Sequence, residues 1–330
     1  MANKIRKRNG PDKMSKATNR KSDSKEPLIA SAPPQPIAVA IWASIIVIGI
    51  CYLPTIEEFD EVATFDNLAT SPYASNGALS AARAASALVI LGSQLYLVVG
   101  PGFIEHITYL PGSKLRDCDI PITGSHMLLF FTAWSWVILG LSFAGMAYIG
   151  AANARPCQYL LRVVLTGWEI AAPCALLVSV IITYVIWPEF VKKGPGVSDG
   201  LKKPVTLLQH NLNVVLVASQ LLLTRLPLLA SHAALAPLFG TAYVAFAWAM
   251  QARISPKNGA VYLYFFFDTT RGATFTCLAM LGLLTVLLVF YAAAVGVVWS
   301  LAQATDAGVP ILLQGMALAG LTAMLCKFRD

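Results

Sequence analysis

Residues 275–300 read FTCLAMLGLLTVLLVFYAAAVGVVWS, an apolar run without one charged side chain. It exceeds the roughly 20 residues that a helix needs to cross the hydrocarbon core of a bilayer. Seven further apolar runs of 18 to 29 residues, charge-free but for Arg83, Arg162 and Glu169, accompany it: Ile37–Pro54, Ala78–Val99, Met127–Ile149, Tyr159–Trp187, Leu207–Thr224, Ala233–Met250 and Val309–Cys326. Continuous rather than alternating hydrophobicity excludes barrel strands. The fold class is therefore all-α, a polytopic transmembrane helix bundle of about eight spans over residues 37–326.

Composition agrees. Hydrophobic residues make up 57% of the 330 and charged residues 12%, with a mean hydropathy of +0.65. A soluble domain carries about 25% charged residues to cover its surface, so half that share implies lipid as the solvent.

The charge is placed unevenly. Of the net +7, residues 1–36 carry nine basic side chains against three acidic ones. This stretch reads as a disordered cytosolic tail, ending in a Pro-rich linker (Pro27, Pro33, Pro34, Pro36), that meets anionic lipid headgroups. Nucleic acid is excluded as a partner: the tail lacks interleaved aromatic residues and runs straight into a hydrophobic span. With the N-terminus in the cytosol, 20 of the 24 Lys and Arg fall on the cytosolic side, and Arg83, Arg155, Arg162 and Arg225 on the other. The first outside loop is acidic, with Glu57, Glu58, Asp60, Glu61 and Asp66. Eight spans with N-in and C-in ends satisfy the positive-inside rule, with residues 327–330 as a short cytosolic C-terminus. The expected setting is the endoplasmic reticulum or plasma membrane, with membrane lipids as partners.

Several function classes lose support. There is no internal repeat of the inverted-transporter kind. The late spans contain no lysine, which a retinal protein needs. Six cysteines occur without any C-x-x-C pairing, so no metal site, cofactor or disulfide framework is expected.

Polar residues in or beside the spans are the functional candidates, because they are costly in lipid. Thr132 lies in Phe130-Phe131-Thr132-Ala133-Trp134-Ser135-Trp136, where a membrane threonine also bonds its own preceding carbonyl and tryptophan also marks an interface. Gln209-His210-Asn211-Leu212-Asn213 opens the fifth span. His210 and Asn213, three apart, are expected on one helix side, either facing the bundle or wetted at the headgroups. Tyr262 to Thr270 is an aromatic segment containing Tyr264 and ending in Asp268, which also suits a helix N-cap. Glu169, in the other half of the membrane, pairs with Arg162 or stays protonated as structural glue. Thr132, His210, Asn213 and Asp268 all fall towards the cytosolic leaflet. They converge if spans three, five and seven are neighbours.

These motifs also carry a resemblance. Phe131-Thr132-x-Trp134, His210-Asn211-Leu212-Asn213, Thr224-Arg225-Leu226-Pro227, Pro237 to Tyr243, Phe246 to Trp248 and Tyr264 to Asp268 follow in order. Together, over residues 125–300, they resemble the rolling stone family and, more distantly, the androgen-induced intramembrane threonine hydrolases. The latter resemblance implies cleavage of fatty-acid esters of hydroxy fatty acids, with Thr132 matching the nucleophile and Asn213 standing where the hydrolases have their histidine base. Rolling stone proteins have asparagine there and are associated with myoblast fusion. Asparagine cannot accept the threonine proton at neutral pH. His210 substitutes only if Thr132 is shallow, since it is displaced by about 4.5 Å along the helix. Two readings follow. One is a multi-pass protein without catalysis, acting as a scaffold, in fusion or trafficking, or in lipid binding. The other is a lipid-ester hydrolase using Thr132, His210 and Asn213, with Trp134, Tyr264 and Asp268 as binding residues.

Overall fold

Each of the eight apolar runs forms a helix in the computed structural model, which describes residues 28–152, 156–192, 194, 197–224 and 226–326. Residues 1–27 of the basic tail and the C-terminal residues 327–330 lie outside these. The helices are α1 (Pro36–Cys51), α2 (Ile56–Val62), α3 (Phe65–Ala69), α4 (Asn76–Val99), α5 (Phe131–Ala151), α6 (Gln158–Lys192), α7 (Pro204–Leu223), α8 (Ala230–Met250), α9 (Ala273–Asp306) and α10 (Ile311–Leu325). Among the described residues six of them, α4 to α9, are long and apolar enough to cross a membrane. The first apolar run is shorter than expected, because α1 ends at Cys51 and turns by 67° into α2. Thr55 and Glu58 form a reciprocal capping box there, so the acidic loop starts a new helix instead of extending the old one.

Helix α6 is the centre of the bundle and packs against α5, α7, α8 and α9. Small residues make this possible. Ala171, Ala172, Cys174 and Ala175 are buried around Pro173, letting neighbouring helices approach closely. Pro173 also withholds the N–H that would bond the Glu169 carbonyl. In the most apolar stretch of α6, 61% of residues are buried inside the protein, against 17% in α9. The apolar outer surface of α9, with Leu278, Leu281, Val289 and Trp299 exposed, suits contact with lipid.

Hydrogen bonds identify the two ends of the bundle. At one end Thr183 and Tyr184 of α6 donate to the Leu325 and Met324 carbonyls of α10. Residues 28–35 are fastened to the α8–α9 loop at this same end. The Ala32 N–H donates to Gln251 Oε1, its carbonyl accepts from Tyr262 and Thr269, and Gln35 donates to the Thr269 carbonyl. The last part of the stretch read as a disordered tail is thus ordered, because its backbone groups find partners in that loop.

Among the described residues the bundle is all-α apart from one short β-hairpin at this end. β1 (Phe103–Ile107) and β2 (Cys118–Ile122) pair antiparallel, with Glu105 opposite Ile120. Ile107, Ile120 and Ile122 pack with Met127, Leu129, Ile254 and Val261 beneath them. At the opposite end, residues 55–70 fold over the helix termini as a strap, burying Phe59, Ala63, Leu68 and Ala69 in the main core.

Candidate functional site

Thr132 occupies the first turn of α5, not the middle of a longer helix, because Gly124–Leu129 form a separate 3₁₀ turn before it. The start of α5 is held by aromatic residues. The Tyr264 hydroxyl accepts from the Phe131 N–H at 3.3 Å, satisfying one of the donors a helix N-terminus leaves open. Tyr243 donates to the Leu129 carbonyl at 2.6 Å, and Trp134 to the Leu128 carbonyl at 2.9 Å. The Trp134 ring meets Tyr243 edge-on at 5.4 Å and lies 4.9 Å from Phe246. Tyr264, Tyr243 and Trp134 thus fix the entry of α5, with Thr132 one residue beyond the bonded Phe131 N–H.

His210 lies in a π-turn, Leu208–Leu212, and Asn213 opens the regular helix that follows it. Ser179 Oγ lies 2.6 Å from the His210 carbonyl and 2.9 Å from Asn213 Oδ1, and shares its single proton between them. Asn213 Oδ1 also accepts from the Val214 N–H, and its Nδ2 donates to the Ala175 carbonyl at 3.3 Å. The Asn213 amide is thus engaged by α6 and by its own backbone. Beside this, His210 Nδ1 is buried without a hydrogen-bond partner, and no hydrogen bond joins it to Thr132. Gln209 reaches α4 and donates to Gln94 Oε1 at 2.9 Å.

Asp268 is fully buried in the α8–α9 loop. Its Oδ1 accepts from the N–H and the hydroxyl of Thr270, capping a short 3₁₀ turn, while Oδ2 has no partner. Burial pushes the hydroxyls of Tyr262 and Tyr264 in this loop up to about 12, and that of Tyr109 in the hairpin also upward. They are neutral hydrogen-bonding groups at physiological pH. Two well-formed cavities are small. One of about 10 Å³ lies between Leu129, Tyr243, Tyr262 and Tyr264, and an apolar one of about 20 Å³ lies between Trp42, Gly240, Met280 and Leu287. Each has room for about one water molecule, and neither is lined by Thr132 or His210.

Glu169 has a different partner from the one expected. Arg162 is taken by Asp60 of α2 through two bonds of 2.5 Å, whereas Glu169 Oε2 lies 2.7 Å from His232 Nδ1. Both residues of the latter pair are inaccessible to solvent. The Leu229 N–H donates to Glu169 Oε1, and Phe59 of the strap stacks on the imidazole at 4.8 Å. Sequence reasoning did not single out His232, although a buried acid on α6 requires a partner and the chain has only four histidines. It also passed over Arg83, a fully buried charge inside an apolar helix.

Among the described residues, no group of three or more His, Cys, Asp or Glu is placed to hold a metal ion. Comparison with protein-family models, curated proteins and solved structures found no match to this chain.

Proposed function

We propose that this chain is a multi-pass membrane protein of the rolling stone type that works without catalysis, as a membrane-embedded scaffold in fusion or trafficking or as a lipid-binding bundle. It has eight spans with both ends in the cytosol. The observation that supports this best is the Asn213 amide, held by Ser179 and the Ala175 carbonyl at the position where the hydrolases have a base. A side chain so engaged stabilises the contact between α6 and α7 and has no proton-accepting role. The topology is supported by the grouping of the hairpin, the α8–α9 loop and residues 28–35 at one end, next to the basic tail. That tail engages anionic headgroups, an interaction that weakens as salt is raised.

The hydrolase remains a second reading because of one observation: the buried His210 Nδ1 has no partner. Lipid profiling of cells lacking the protein separates the two. On the first reading, Thr132→Ala and His210→Ala add-backs give the same lipid profile as wild type. Accumulation of a lipid ester that wild type clears and both variants fail to clear overturns it.

A further inference from the structure

We propose that Arg83 and Ser80 form a binding site for a carboxylate- or phosphate-bearing anion beneath the strap, at the end of the bundle opposite Thr132 and His210. This inference stands independently of any reaction at those residues. Arg83 is fully buried in α4. Its Nε donates to Gln220 Oε1 at 2.8 Å and its Nη1 to the Leu68 carbonyl of the strap, while Nη2 is buried without a partner. The acceptors it uses are neutral. A guanidinium taken out of water is costly unless an opposite charge compensates it, and its planar fork matches carboxylate and phosphate oxygens.

A second orphaned group lies one turn away. Ser80 precedes Arg83 by three residues on the same face of α4, is 5% exposed, and its hydroxyl has no hydrogen-bond partner. Arg83 meets the strap, and Ser80 meets α5. Arg83 bonds the Leu68 carbonyl of the strap, and Ser80 Oγ lies against Gly150 of α5, where an added Cβ would collide with it. An anion seated here accepts from Nη2, Nη1 and the serine hydroxyl, replacing the partial charge of the Leu68 carbonyl with a full one.

An anion reaches this site only past the strap, whose apolar side chains are seated in the main core. Helix α3, which covers the two residues, is five residues long, below the length at which a helix holds by itself. The strap's polar fastenings are the Asp60–Arg162 pair, whose side chains are about one third exposed so that it contributes little stability, and Gln158, which donates to Asp60 and to the Ala63 carbonyl. Glu57, Glu58 and Glu61 face outward and repel a free anion from the closed face. Entry therefore requires the strap to lift.

The test uses the full chain purified into phosphatidylcholine nanodiscs, with inorganic phosphate and oleate as probes measured by calorimetry. The expected result is saturable binding of one or both probes that is tighter in Asp60→Asn, where the fastening is loosened. Arg83→Gln weakens it by about ten-fold or more, as the loss of charged hydrogen bonds implies, and Ser80→Ala also weakens it. Binding of phosphate assigns a free anion, and binding of oleate alone assigns a lipid carboxylate. If Arg83→Gln does not fold, Arg83→Lys, which keeps the charge and loses the fork, weakens binding in its place. No saturable binding to either wild type or Asp60→Asn overturns the proposal, as does binding unaffected by the folded Arg83 variant.

Discussion

The side-chain amide of Asn213 is closed by helix α6, its oxygen 2.9 Å from the Ser179 hydroxyl and its nitrogen 3.3 Å from the Ala175 carbonyl. These contacts join two spans through groups that lipid cannot solvate. Asn213→Ala removes them and leaves the Ser179 hydroxyl with the His210 carbonyl alone. The expected loss is about 1–3 kcal/mol, read as a lower unfolding midpoint in detergent. Ser179→Ala acts on the same network, so the double variant loses less than the sum of the two single ones.

The Glu169–His232 pair gives a larger effect. His232→Ala removes the side-chain partner of the enclosed Glu169 carboxyl, and leaving a buried polar group unsatisfied costs about 1–3 kcal/mol before the lost ring packing is added. It also removes the ring on which Phe59 stacks, loosening the strap. Glu169→Gln, which keeps the shape and a hydrogen-bonding group, is expected to cost less. Thermal unfolding of the two variants checks the order.

The strap fastening has a defined pH dependence. The Arg162 guanidinium hydrogen-bonded to Asp60 holds that carboxyl below its usual value, which is about 3.9 for a free aspartate. A depressed carboxylate contributes stability that is present above its unfolded value and lost as pH falls through its folded one. The difference in unfolding midpoint between wild type and Asp60→Asn is therefore constant from neutral pH down to about pH 5 and shrinks below about 4.

The tyrosines of the α8–α9 loop act at the other extreme. Tyr262 and Tyr264 are pushed up to about 12 by burial, so folding favours their protonated forms. Stability from these two hydroxyls is complete below their unfolded value of about 10 and is lost as pH rises from there towards 12. Ultraviolet titration of phenolate shows late-titrating tyrosines in wild type and one fewer in Tyr264→Phe.

Native cysteines report the topology. Cys51 and Cys157 are exposed at the strap end, whereas Cys118 lies in the hairpin at the other. With both chain ends in the cytosol, a membrane-impermeant maleimide applied to intact cells labels Cys51 or Cys157, and Cys118 only after permeabilisation. The reverse pattern inverts the bundle.

The long elements were legible because lipid requires continuous apolar runs, and residues 275–300 announce theirs without ambiguity. The expected end of each run lies within three residues of a helix end, except that α6 and α9 run on to Lys192 and Asp306. The hairpin was not legible: its strands have five residues each and bury only Ile107, Ile120 and Ile122, against Ile254 and Val261 far along the chain. The site was legible only as a set of residue types. Tyr264 bonds the Phe131 N–H beside Thr132, a contact across 133 positions, and the π-turn at 208–212 is not visible in α-helical spacing. Partners distant in sequence were missed for the same reason, since Glu169 and His232 are 63 positions apart. Arg83 required only consistency: a charge inside an apolar helix is a functional candidate wherever it occurs.

The most direct test of the central claim is fatty-acid release by the purified chain in proteoliposomes supplied with a fatty-acid ester of a hydroxy fatty acid. The account predicts release no greater than that from Thr132→Ala and His210→Ala protein. Release that depends on both Thr132 and His210 contradicts it and makes the chain a hydrolase.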